Sequence, residues 1–133
     1  MAGLHSRLRR RSEFLAVAST GQKWVTPGMI VQIRPDNSFP HFRYGLTASR
    51  KVGGAVQRNR ARRRLRALAE QILPQLVAEF GLGTPVSSVD LVLIARTHTI
   101  GRSFDDLQAD LRWAIKRLAQ PKPPAGSSAA PAP

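Results

Sequence analysis

Between Asp36 and Glu70 the chain carries no acidic residue, yet residues 50–66 hold Arg50, Lys51, Arg58, Arg60, Arg62, Arg63, Arg64 and Arg66. Like charges at this density repel one another unless a polyanion neutralises them. The same stretch has an apolar period. Ala61, Leu65, Leu68, Ala69, Ile72, Leu76 and Phe80 recur at helical spacing and share one arc of a helix. Arg60, Arg62, Arg63, Arg64 and Arg66 fall on the remaining circumference, away from that arc. One side is thus committed to a core and the other presents guanidinium groups. A merely solvated helix face would mix Glu with Lys at four-residue spacing. Here Glu is absent and Arg is used throughout, the choice suited to phosphate.

The rest of the composition narrows the partner. A net charge of +13 over 133 residues points to nucleic acid or an anionic membrane surface. No apolar run reaches the length of a membrane span, which disfavours the membrane. The basic N-terminus passes into Ser12 and Glu13 with no signal-peptide apolar stretch. Cysteine is absent, so neither disulfides nor cysteine-bound zinc can staple the fold. These features predict a cytoplasmic protein with one compact domain.

Residues 1–11 read as a basic arm, residues 12–120 as the folded domain, and residues 121–133 as a disordered Pro/Ala-rich tail. A short helix is expected after Ser12 as N-cap, with Glu13 near its positive end, stopping before Gly21. Residues 23–26 and 29–34 read as strands, and 43–48 as the returning arm of a hairpin around the turn residues 35–38. The basic helix follows Gly53 and Gly54, with a kink or break expected at Pro74. Residues 89–95 form an apolar run suited to a strand covered on both faces. The helix opening at Ser103 carries the stripe Leu107, Leu111, Ala114, Ile115 and Leu118. The strands flanking the basic helix are expected to lie side by side and parallel, with that helix as crossover.

Four ordered segments resemble one family. Residues 53–66, around Arg58-Asn59-Arg60, carry its signature, and residues 7–14, 43–51 and 90–96 match in register. Over roughly residues 7–118 the chain resembles the protein subunits of bacterial ribonuclease P. The resemblance implies an α/β (α+β) two-layer sandwich, akin to a ribosomal protein domain, in α-β-β-β-α-β-α order with a left-handed β-α-β crossover. It implies that a catalytic RNA performs the hydrolysis, that the protein supplies no catalytic residue, and that one protein serves each RNA. Arg58, Asn59, Arg60, Arg62, Arg63 and Arg66, with Arg9 and Arg10, would bind that RNA. Phe14, Ala18, Gln32, Ser49, Arg50 and Lys51 would line a cleft for the 5′ leader of precursor tRNA. No cofactor or metal is expected on the protein alone, and Mg2+ is expected in the holoenzyme, held mainly by RNA. Ala18 and Gln32 stand where other members carry aromatic residues, which weakens base stacking. Phe14, met as a lone aromatic, suits a core more than a ligand platform, and the resemblance makes core and cleft about equal.

Two other readings compete. The same fold and charge suit a structural ribosome-associated RNA-binding protein, which would not need a leader cleft beside the Arg-Asn-Arg helix. A self-sufficient nuclease would need clustered acids or a His–carboxylate pair. His5, His41 and His98 lack ligand spacing, and Asp105 and Asp106 suit a helix N-terminus, with Asp110 one turn on.

Overall fold

The computed structural model describes residues 5–82 and 88–119. A five-stranded sheet has the order β1-β4-β5-β3-β2, where β1 is His5–Arg7, β2 Lys23–Val25, β3 Met29–Pro35, β4 Phe42–Thr47 and β5 Val89–Ala95. The helices are α1 (Arg11–Ala18), α2 (Ala55–Glu79) and α3 (Phe104–Ala119). The expected tail and most of the loop before β5 lie outside the described residues.

Alternation along the strands builds two faces. Met29, Val31, Ile33, Tyr44, Leu46, Leu91 and Leu93 point to one side and pack against Leu65, Leu68 and Leu73 of α2 and Leu107, Leu111 and Ile115 of α3. The alternate residues meet α1 on the opposite side, where Leu8, Val17 and Val92 form a second cluster with Phe14 and Ile94. The expected crossover is present: β4 and β5 run parallel, Tyr44 against Leu91 and Leu46 against Leu93, with α2 between them in the chain.

Three expectations need correction. β3 and β4 do not form a hairpin. β5 lies between them, antiparallel to β3 and parallel to β4. A strand buried on both faces belongs in the middle of a sheet, and every β5 residue but Ile94 is buried. Second, α2 runs through Pro74 without a break. Leu73, Leu76 and Val77 are buried around it, and at about 1.5–3 kcal/mol each they outweigh the roughly 3 kcal/mol that an interior proline costs. Third, Ser12 does not cap α1: within the arm, His5–Arg7 pairs in parallel with Phe42, Arg43 and Tyr44, and buried Leu8 donates its N–H to the Tyr44 carbonyl at 2.8 Å. Helix α1 accordingly starts at Arg11, not after Ser12. Glu13 reaches back to accept the N–H groups of Arg9 (2.8 Å) and Arg10 (2.9 Å). The charge placement at Glu13 holds, but the capping group is its carboxylate instead of the Ser12 hydroxyl.

Candidate nucleic-acid interface

Asn59, Arg62, Arg63 and Arg66 stand three, four and seven residues apart, so they share one face of α2. With Arg7 of β1 and Leu46 of β4 they line an open concavity of about 330 Å³. No carboxylate is among its lining residues. Arg62 donates to Asn59 Oδ1 at 2.6 Å, which fixes the amide orientation and leaves its NH2 as a donor. Arg7 reaches the site because β1 pairs with β4, and its guanidinium lies 5.8 Å from the Tyr44 ring centroid. The arm's arginines were legible as cationic, but which of them meets α2 depended on a strand too short to read from sequence.

The other arginines of the run divide by environment. Arg58 turns back to donate to the Gly53 carbonyl at 3.2 Å, and Arg60 is exposed on the neighbouring flank. Gly53 itself is held at φ +142, and a Cβ there would crowd Gln57, so glycine is required where the chain enters α2. Arg64 does not join the outer face. It is half-buried and donates to the carbonyls of Ile100 and Arg102 (2.6 Å to the latter), tying α2 to the start of α3. Arg9 and Arg10 are exposed at the entry to α1 and do not line the concavity. Glu70, where the acid-free interval ends, accepts the Tyr44 hydroxyl. Burial and this carboxylate push the phenol up to about 12.

On the opposite face, Phe14 projects from α1 onto β4. A Cβ at Gly45 would collide with the edge of the Phe14 ring, so this close approach requires glycine. The ring is half-buried, with one side on Leu8, Val17 and Val92. Gln32 is half-buried in the same row of the sheet, paired with Val92 and Lys23. Ala18 is exposed at the end of α1. Ser49, Arg50 and Lys51 are exposed in the turn between β4 and α2. The Ser49 hydroxyl accepts the Lys51 N–H at 3.3 Å, and buried Val52 anchors the segment.

Below Phe14 the α1 side of the sheet carries a buried ion network. Arg43 donates to both oxygens of Asp90, at 2.9 and 2.6 Å, and to Glu13 Oε2 at 2.8 Å. Asp90 is fully buried and also accepts from Asn37 at 3.0 Å. The Arg10 and Arg9 N–H groups, and then Arg43, hold the Glu13 carboxyl below its ordinary range. Hydrogen bonding to Asp90 raises the Arg43 guanidinium above its own. Arg43 therefore ties β4 to β5 and α1 on this side of the sheet.

The candidate nuclease chemistry does not assemble. His5, His41 and His98 fall on β1, the β3–β4 connection and the turn after β5. Asp110 pairs with Arg102 at 2.8 Å and Glu79 with Arg112. Among the described residues no three His, Cys, Asp or Glu converge as a metal-holding group, and no helix is long and apolar enough to cross a membrane.

The fold and the sequence have known counterparts. A ribonuclease P protein from Thermotoga maritima superposes with a TM-score of 0.66 at 24% identity, over 84% of this chain and 96% of the other. One from Staphylococcus aureus gives 0.62 at 23% identity, over 83% and 92%. The ribonuclease P protein component of Gluconacetobacter diazotrophicus is 43% identical over 118 residues, 88% of this chain and 94% of the relative. That of Paramagnetospirillum magneticum is 39% identical over 122 residues, 89% and 86%. The sequence model of the ribonuclease P family matches residues 4–119, a span containing both the arginine face and Phe14. The chain belongs to the ribonuclease P protein family.

Proposed function

We propose that the chain is the RNA-binding subunit of a ribonuclease P holoenzyme in the cytoplasm. It docks on the catalytic RNA and receives the 5′ leader of precursor tRNA, assisting the endonucleolytic cut that gives the mature 5′ end. The observation that carries this reading is the convergence of Arg7, Arg62, Arg63 and Arg66 around Asn59, four cations and an amide with no acid among them. Such a concavity focuses positive potential on phosphates. Arg58, Arg60, Arg9 and Arg10 extend the surface. The leader lies on the other face, along Phe14, Ala18 and Gln32, and is led there by Ser49, Arg50 and Lys51. Family membership favours this over a ribosome-associated structural protein.

The RNA performs the hydrolysis, one protein serving each RNA. Magnesium is held mainly by the RNA in this reading, and five of the protein's eight carboxylates are already engaged within the fold. Glu13 and Asp90 are held by Arg43, Asp110 by Arg102, Glu79 by Arg112, and Glu70 by the Tyr44 hydroxyl.

Reconstitution with a bacterial ribonuclease P RNA tests the reading. Protein and RNA together should cleave precursor tRNA at low magnesium, where either alone is inactive. Cleavage by the protein alone would overturn it. Binding to the catalytic RNA should weaken with salt with a log–log slope of about −3 or steeper if four arginines neutralise phosphates.

A further inference from the structure

The connection between β3 and β4 passes over the start of β5 and presents an aromatic ring. Asn37, only 5% exposed, fastens it. Its amide nitrogen donates to the carbonyls of His41 and Val89 (3.1 Å each) and to Asp90 Oδ1. Its Oδ1 accepts the N–H groups of Phe39 (2.8 Å) and Ser88 (3.2 Å). The residues on either side of it, Asp36 (φ 61) and Ser38 (φ 64), both occupy the left-handed region, where non-glycine side chains are strained. A loop so firmly tied would be expected to bury its large apolar side chain. Phe39 is instead 41% exposed.

Its surroundings say what it is exposed to. The Arg43 guanidinium lies 4.6 Å from the Phe39 ring centroid, and the His41 ring is 5.9 Å away at 34°. Arg43, Asp90 and Arg34 form one cross-strand row on the α1 side of the sheet. The Arg34 side chain is 39% exposed and lies 3.8 Å from Asp90. The neighbouring row is Gly45, Val92 and Gln32, with Phe14 resting on Gly45. Arg43 and Gly45 are two residues apart on β4, about 7 Å. Phe14 and Phe39 therefore stand at successive rows of one face. Asp90 and Glu13 answer the charges of Arg34 and Arg43, and of the two guanidinium groups it is that of Arg34 that reaches solvent.

We propose that Phe39 is a second stacking platform of the leader cleft, receiving an unpaired leader base farther from the cleavage site than the one at Phe14, with Arg34 facing the adjacent phosphate. This rests on the leader reading above and deepens it. It also locates the aromatic surface that Ala18 and Gln32 do not supply. An exposed ring beside a guanidinium suits any base, so the contact sets affinity for a leader of sufficient length instead of for a sequence.

The test uses the reconstituted holoenzyme and two precursor tRNAs, one with a long single-stranded leader and one trimmed to its cleavage-proximal nucleotides. Phe39→Ala should weaken binding of the long-leader substrate by about tenfold and leave the trimmed substrate unchanged. Phe39→Trp should restore the long-leader affinity, and the melting temperature should not fall in either variant. Equal loss on both substrates would assign Phe39 to the catalytic RNA and overturn the proposal, as would no loss on either. A wild-type preference for the long leader that survives Phe39→Ala sinks this inference alone. Absence of any wild-type preference sinks the leader reading and this inference with it.

Discussion

The guanidinium at position 63 is exposed to solvent on α2, whereas the Arg43 side chain is 13% exposed and spans Asp90 and Glu13. Identical chemistry thus serves an interface in one place and the scaffold in the other, and the two are separable by measurement. Arg63→Ala should weaken RNA binding and shallow its salt slope by about one unit, with melting temperature unchanged. Arg43→Ala leaves Asp90 buried without its main counter-charge and should cost about 3 kcal/mol in denaturant unfolding. Tyr44 offers a third test, because it is the chain's one tyrosine and phenolate absorbance reports it directly. Its folded pKa lies above the unfolded value of 10.0. The stability it contributes is therefore complete below pH 10 and is lost as pH rises toward 12. Native protein should titrate near the upper value and urea-unfolded protein near the lower. Tyr44→Phe should flatten the alkaline loss of stability. At this scale the cationic character of residues 50–66 was legible in the sequence, but the division between Arg63 and Arg64 was not. The carbonyls that capture Arg64 come from residues 100 and 102, and no local pattern announces them.

Among the elements, periodicity identified α2, β5 and α3, while their partners had to come from the structure. Residues 29–34 and 43–48 do form strands, but nothing between them signals that a later strand will separate them. The stronger clue was the apolar run at residues 89–95, which implies a strand with neighbours on both edges. Helix α1 is joined to the sheet through its apolar side and through Glu13, which accepts from Arg43 and from the Arg9 and Arg10 N–H groups. Its pKa is lowered, so its contribution is present above the ordinary carboxylate value of 4.5 and is lost as pH falls below that. Amide exchange in α1 should accelerate below pH 4.5 before the core of the sheet loosens, and Glu13→Gln should show fast exchange already at neutral pH. Protection of α1 that follows the sheet at every pH would remove Glu13 from that role.

For the whole molecule, the two surfaces proposed to meet RNA lie on opposite faces of one sheet. The arginine concavity is on the α2 side, and Phe14 and Phe39 are on the α1 side. A sheet so thin can hold two RNA strands apart at a fixed spacing without any residue touching both. The topology also governs how such a molecule comes into being. β5, the central strand, is the last of the described strands to be made, and it lies between β3 and β4. As the chain emerges from the ribosome, α2 and its arginines are complete while both strand edges still wait. Apart from the local β2–β3 pair, the sheet closes through long-range pairings, which slow folding. The nascent protein therefore completes its arginine-rich helix before it has a fold to hold that helix in place, and under the proposed function RNA present at that moment would meet a basic chain whose sheet is still open.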